Sequence, residues 1–254
     1  MLGPGVVAYS MVGTSTRPVR SARFALLAAL GLAALCALIG VSRASATPAK
    51  TLGNTSRTPA PSCPSTGDND PCEAVGSVTG FQVVADGVQA PFKAREDGWV
   101  VAWAIDLSKP KDSETNFFGN FYQSGTFGTT PTARLSIIRR RDGRNYKLKA
   151  QSPVMSISSL FGHKETFTLT DPLKMKKGDF VALTIPTWAP AFAINLNART
   201  NTWRASRVAG QCGSSDNPDQ IKNGKPQQKV GSKREYGCDY RGARLLYWAY
   251  YTPR

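Results

Sequence analysis

Histidine is almost missing from this sequence: His163 is the one imidazole in 254 residues. A serine hydrolase needs a base beside its nucleophile, and no Gly-x-Ser-x-Gly elbow accompanies His163, which falls in SSLFGHKETF, a stretch read as a loop between strands. The same shortage argues against zinc, because no Cys-x-x-Cys pair occurs and one imidazole cannot complete a four-ligand set. No segment shows an apolar stripe of 3.6-residue period, which points away from helical folds. Acidic residues are also few, 17 against 32 lysines and arginines. Nothing in the chain calls for a cofactor.

Export is what the N-terminus does show. Arg17, Arg20 and Arg23 precede the apolar run FALLAALGLAALCALIGV, which leads to Ala-Ser-Ala and Thr47. A basic head, an apolar middle and small residues before a cut describe a secretory signal over 1–46, removed after Ala46, with Met1 or Met11 as initiator. The competing reading is a retained membrane anchor, since 18 apolar residues just span a hydrocarbon core of about 30 Å. Residues 47–76, rich in Thr, Pro and Ser, read as a tether carrying a small disulfide loop, and 77–254 as the folded domain. Cys63, Cys72, Cys212 and Cys238 are an even set in an exported chain; three pairings are possible, and proximity favours 63 with 72 and 212 with 238. The expected location is secreted or cell envelope.

From residue 77 the pattern has period two. In WVVAWAIDL, Trp99, Val101, Trp103, Ile105 and Leu107 are all apolar, and NYKLKA sets Tyr146 and Leu148 against Lys147 and Lys149. ADG, EDG, RDG and KKGD punctuate these runs, and an Asp-Gly pair between alternating segments favours a tight hairpin. The spacing predicts strands at about 77–85, 89–94, 99–107, 132–139, 145–151, 153–158, 165–170, 179–185, 191–196 and 243–251, with one or two failing. Short, regularly spaced strands without intervening helices imply an all-β fold: a two-sheet antiparallel β-sandwich, jelly-roll-like. RLLYWAYY, apolar on both faces, belongs inside a sheet.

The stretch FTLTDPLKMKKGDFVALTI looks like an anion site but has a structural explanation. Phe167, Leu169, Leu173 and Met175 can face inward while Lys174 and Lys176 face water and guard an edge strand, and Lys177-Gly178-Asp179 turns into the next buried strand. With the preceding YKLKAQSPV, this run resembles a recurring pattern in exported bacterial β-sandwich domains of uncharacterised function, over about 77–196. That resemblance implies a fold and no activity.

Candidate sites are binding sites rather than catalytic ones. NFFGNFYQSGTFG places Phe117, Phe118, Phe121, Tyr122 and Phe127 among Gly, Asn and Ser, in what reads as a long loop. Such rings either stack on sugars or plug the open end of the sandwich. Arg139, Arg140, Arg141 and Arg144 gather on one hairpin, a candidate polyanion contact. A polar stretch between Cys212 and Cys238 adds Lys222, Lys225, Lys229, Lys233 and Arg234, and reads as a disulfide-closed flap over 212–238. Without the four arginines of the signal the formal charge falls from +15 to +11, which attracts anionic polymers. No nucleic-acid-binding signature accompanies it, so specific nucleic-acid recognition is not expected.

Asp68, Asn69 and Asp70 offer calcium-type oxygens but lack the full loop, so no metal is expected. Most carboxylates (Asp86, Glu96, Asp97, Asp142, Asp179) sit in turns, with Asp106 and Glu165 in strands. The expectation is an exported, non-catalytic domain that binds a polysaccharide or anionic wall polymer or serves structurally in the envelope. The alternatives are a secreted glycan hydrolase with two unidentified carboxylates, or an accessory domain whose partner is a protein.

Overall fold

The computed structural model describes residues 48–63, 72–213 and 218–254. The expected signal peptide and the Asp68–Asn69–Asp70 cluster lie outside the described residues. Among those described, no helix is long and apolar enough to cross a membrane.

The strands are β1 (Lys50–Leu52), β2 (Val75–Ala85), β3 (Val88–Gln89), β4 (Gly98–Asp106), β5 (Thr132–Arg140), β6 (Asn145–Gln151), β7 (Met155–Ser156), β8 (Lys164–Met175), β9 (Phe180–Ala189), β10 (Phe192–Ala193), β11 (Thr202–Ala205), β12 (Lys233–Glu235), β13 (Cys238–Arg241), β14 (Arg244–Leu245) and β15 (Tyr247–Pro253). One sheet runs β1-β15-β4-β8. A second, larger sheet runs β12-β6-β5-β9-β2-β11-β13, with β3 on β2 and β7 on β5, and β10 pairs with β14 in a separate two-stranded sheet. Their pairings are antiparallel, so the all-β sandwich expected from the period-two pattern is what forms.

The main core lies between the first two sheets. Trp103, Ile105 and Tyr247 from the first meet Leu135, Ile137, Val181 and Leu183 from the second. Phe92 stacks on Tyr247 with ring centroids 4.1 Å apart, and the Tyr247 hydroxyl donates to the Val181 carbonyl at 3.0 Å, so the buried phenol is satisfied. The C-terminal β15 is flanked by β1 and β4, as its two apolar faces require.

Part of the stretch expected to be a spacer is strand: β1 pairs with β15 through Lys50↔Tyr251 and Leu52↔Ala249. The disulfides join Cys63 to Cys72 and Cys212 to Cys238, the pairing that proximity favoured. Two such bonds fit an oxidising, extracytoplasmic environment.

The lysine motif is a turn built around Asp179. Leu173 and Met175 are buried while Lys174, Lys176 and Lys177 are exposed, as the alternation required. Asp179, with its side chain 2% exposed, accepts Nε and Nη2 of Arg139 at 2.6 and 2.9 Å and the Lys176 backbone N–H at 2.9 Å. Asp97, opposite, accepts from the Lys176 ammonium at 2.6 Å and the Lys177 N–H at 2.8 Å; the first of these bonds leads in holding its carboxyl below the usual range. The strand before the turn is longer than expected, continuing through Pro172 to Met175. A register shift opposite Val100 and Ala102 absorbs the proline, and β8 is an edge strand, where a missing N–H is tolerated.

Three further departures have physical causes. A helix, α1 (Asp112–Phe121), replaces the long loop expected over the aromatic segment, so the expectation of no helix fails there. Its first turn holds Asp112 and Glu114, and Glu114 accepts the Lys111 N–H at 2.6 Å, reaching back as in a capping box. The strands expected at 89–94, 153–158 and 191–196 shrink to two residues each. Strands β11, β12 and β13 form where only loop and flap were expected, because the Cys238 strand lies along β11 from Ala205↔Cys238 to Thr202↔Arg241.

Candidate functional site

The residues of interest converge where β2 begins, α1 ends and the Cys212–Cys238 bond closes the flap. Strand β11 supplies the floor. In β11 the period-two alternation puts Trp203 and Ala205 on the buried side, at 3% and 0% exposure, and in the bend just past the strand Ser206 and Arg207 are both buried, at 2% and 6%. Trp203 pairs across strands with Tyr240 of β13, and their rings stack at 4.6 Å with planes 16° apart. Phe192 meets the indole edge-on at 5.8 Å.

Arg207 is a buried cation with no ion pair among the described residues. Its Nη1 donates to the Tyr240 hydroxyl at 3.1 Å, and Nη2 donates to the carbonyls of Gly76 and Ile221 at 3.2 and 3.5 Å. These neutral acceptors hold the group in place without neutralising it. The Arg207 Nε–H and the Trp203 Nε1–H are both buried and have no acceptor. An unpaired buried donor costs on the order of 1–3 kcal/mol, more for a charged group, so each of them calls for a ligand atom or ordered water.

Beside these two residues lies a cleft of about 270 Å³, walled by Val75, Tyr122, Phe192, Trp203, Ile221 and Tyr240 and edged by Glu73 and Arg207. Tyr122 closes one side, its ring lying so close over Gly76 that a Cβ there would come within 2.5 Å of it. Only glycine lets that ring settle. The Tyr122 hydroxyl donates to the Ala74 carbonyl at 3.4 Å, and burial raises its pKa well above the usual phenol. Glu73 keeps an exposed side, but desolvation on its cleft side raises its carboxyl above the ordinary value. Burial raises the Tyr240 phenol too, and its hydroxyl donates to the Cys212 carbonyl, which ties the pocket wall to the disulfide.

A short helix, α2 (Pro218–Lys222), forms the partition to a second cleft. Ile221 points to the first cleft; Asp219 and Gln220 line the second, about 530 Å³, together with Arg207, Lys225, Lys233 and Arg234. Arg207 therefore sits between a ring-lined pocket and a basic vestibule. The flap beside them is pinned by Gln227, which is 1% exposed. Its N–H donates to Thr79 Oγ1 at 2.9 Å, its Nε2 donates to the Ser232 carbonyl at 2.8 Å, and its Oε1 accepts the Tyr236 hydroxyl at 2.9 Å. With Tyr236, the flap covers the outer cluster of Phe81, Tyr146, Phe180 and Ala182.

Among the aromatic residues expected to bind, Tyr122 lines this pocket and Phe118 packs on Trp188 at 5.4 Å inside the cluster that plugs this end. Phe121 packs against the same cluster half-buried, Phe127 is half-buried in the turn after α1, and Phe117 is 60% exposed. The four arginines share one hairpin as expected, but three are engaged internally. Arg139 is paired with Asp179, Arg140 donates to the Gly143 carbonyl at 2.9 Å, and Arg144 pairs with Asp239 at 3.0 Å and donates to the Gly237 carbonyl. Arg141 alone has no side-chain partner among the described residues.

Glu73, Trp203, Arg207 and Tyr240 were not singled out from the sequence. The signal was present in TWRASR: an arginine in phase with a tryptophan and an alanine is a charge on a buried face. No group of three or more His, Cys, Asp or Glu side chains suited to a metal occurs among the described residues. No protein-family model matches the chain, and no curated protein or solved structure matches it either.

Proposed function

We propose that this is an exported, non-catalytic binding domain whose flap pocket takes an acidic group of an extracellular glycan or wall polymer. The observation that carries the reading is Arg207: a guanidinium 6% exposed, with neutral oxygen partners and an unused Nε–H, in a pocket it shares with Trp203, whose indole N–H is also unused. A carboxylate or sulfate on a sugar ring supplies both the missing charge and the missing acceptors. The aromatic walls suit the apolar face of such a ring, and 270 Å³ is small beside ordinary ligand sites, so it holds one ring-sized group rather than a chain segment.

The vestibule lysines and Arg234 supply attraction for the rest of a polyanion, in keeping with the formal charge of +15 for the whole chain. Glu73 is the one carboxylate of the pocket, whereas hydrolysis of a glycoside by the usual route needs two. The N-terminal signal and the disulfides favour a place outside the cytoplasm, where such polymers are found.

The test is retention of the purified protein on an insoluble acidic polysaccharide and on a neutral one, each at low and high salt. Ile221→Trp fills the pocket from the partly exposed helix α2 and spares the sheets. The expected result is retention on the acidic polymer that partly survives high salt, because contacts inside the pocket are screened less than surface lysines, and that Ile221→Trp abolishes. Equal retention on both polymers, or retention indifferent to Ile221→Trp, overturns the reading.

A further inference from the structure

A third, larger cleft opens along the edge strand β8, on the side of the sandwich where the flap meets the end of β6. It encloses about 740 Å³, within the range of small-molecule sites. Half of its lining residues are apolar, among them Trp103, Phe167, Leu169, Leu173 and Met155, and the Trp103 and Phe167 rings meet at 4.7 Å. One cation, Arg134, lines it.

Arg134 is the feature that needs a ligand. Its Nη2 makes two long contacts to Gln228, at 3.3 Å to Oε1 and 3.4 Å to the backbone carbonyl, and its Nε–H is buried without an acceptor. No carboxylate pairs with it among the described residues; Asp171, the one acid lining the cleft, is exposed and makes no such bond. Gln151 and Ser152 already have partners, while Thr166, Thr168 and Thr170 of β8 add exposed hydroxyls. Gln151 Nε2 donates to Ser136 Oγ and the Gln227 carbonyl, and Ser152 Oγ accepts from the Leu135 N–H and donates to the Pro153 carbonyl.

Arg244 also leaves its Nε–H without an acceptor, but its Nη1 is bound to Thr55 Oγ1 and the Arg57 carbonyl, where it holds the N-terminal segment. The Arg134 contacts to Gln228 are longer, at 3.3 and 3.4 Å against 3.1 Å, and Arg134 borders the apolar side chains of the cleft. Burial also lowers the Arg134 pKa, the direction expected of a guanidinium short of a counter-charge.

We infer that this cleft binds a medium-chain fatty acid, its hydrocarbon tail against Phe167, Leu169 and Met155 and its carboxylate on Arg134. Carboxylate and guanidinium supply each other's missing hydrogen bonds, and the tail removes apolar wall from water. The site is separate from the flap pocket and does not depend on it.

Calorimetric titration of the purified protein with dodecanoate, dodecanol and acetate, each below its aggregation threshold, tests the inference without any variant. Dodecanoate should bind roughly ten- to a hundredfold more tightly than dodecanol, the range for a charged hydrogen bond, and acetate, lacking the tail, should bind more weakly than either. Arg134→Gln, checked for an unchanged melting temperature, should bring dodecanoate down to the affinity of dodecanol. Ile221→Trp should leave dodecanoate binding as it was. Equal affinity for acid and alcohol in the wild-type protein, no binding of dodecanoate, or full binding by Arg134→Gln overturns it.

Discussion

Replacing Asp179 by alanine is the sharpest perturbation of the turn that the lysine-rich motif builds. The carboxylate, 2% exposed, serves three donors: two from Arg139 at 2.6 and 2.9 Å and the Lys176 N–H at 2.9 Å. Its removal leaves a partly buried backbone N–H without that acceptor and an arginine without its counter-ion. Breaking a fully buried ion pair from one side costs about 3–5 kcal/mol. The Arg139 side chain is 33% exposed and recovers some hydration, so the lower end applies, about 3 kcal/mol. For a domain of this size that lowers Tm by roughly 6–12 °C. Urea melts of the wild type, Asp179→Ala, Arg139→Met and the double variant measure both the loss and the coupling, which should be about 2 kcal/mol. A loss under about 0.5 kcal/mol for Asp179→Ala, the level of an ordinary surface change, would refute the structural account of this motif.

Phe118→Ala should cost about 3 kcal/mol, because its ring is 7% exposed against Trp188, while Phe117→Ala should leave the urea midpoint nearly unmoved. Removing the Cys212–Cys238 bond as a double serine variant should cost about 3.5 kcal/mol from chain entropy over 26 residues of separation, and thermal melts should show it. The Glu73 carboxyl, its pKa raised by burial, carries charge above that pKa and repels an anionic ligand at the pocket edge. Affinity for an acidic sugar should therefore rise as pH falls through the raised value, and titrations of Glu73→Gln should lose that rise.

How much of this was legible follows from which interactions are local. The period-two runs in WVVAWAIDL and NYKLKA became β4 and β6 because alternation directly encodes one buried face. Asp86 at φ 50° and Gly87 at φ 81° form the tight turn that their dipeptide announces. Helix α1 was hidden because its rings were read as one aromatic loop. Yet Phe117 and Phe121, and Phe118 and Tyr122, are each four apart, and Glu114 lies three after Lys111. The candidate site was the least legible part. Glu73, Tyr122, Trp203 with Arg207, and Tyr240 come from four separate segments, and the pairing of β11 with β2 and β13, with the end of α1 beside them, brings them together. That Arg139 and Arg144 are committed to Asp179 and Asp239 depends on equally distant partners.

The claim that an acidic group belongs beside Arg207 and Trp203 is tested most directly by nitrogen–proton correlation spectra of the protein. The five tryptophans give up to five indole signals, one of which, from Trp203, has no acceptor while that of Trp188 is bound to the Thr129 carbonyl at 3.0 Å. Titration with glucuronate should move the Trp203 indole and the Arg207 Nε–H signals together, saturably, and leave Trp188 in place, whereas glucose should move neither. Identical responses to the two sugars, or none at Trp203 and Arg207, would contradict the account.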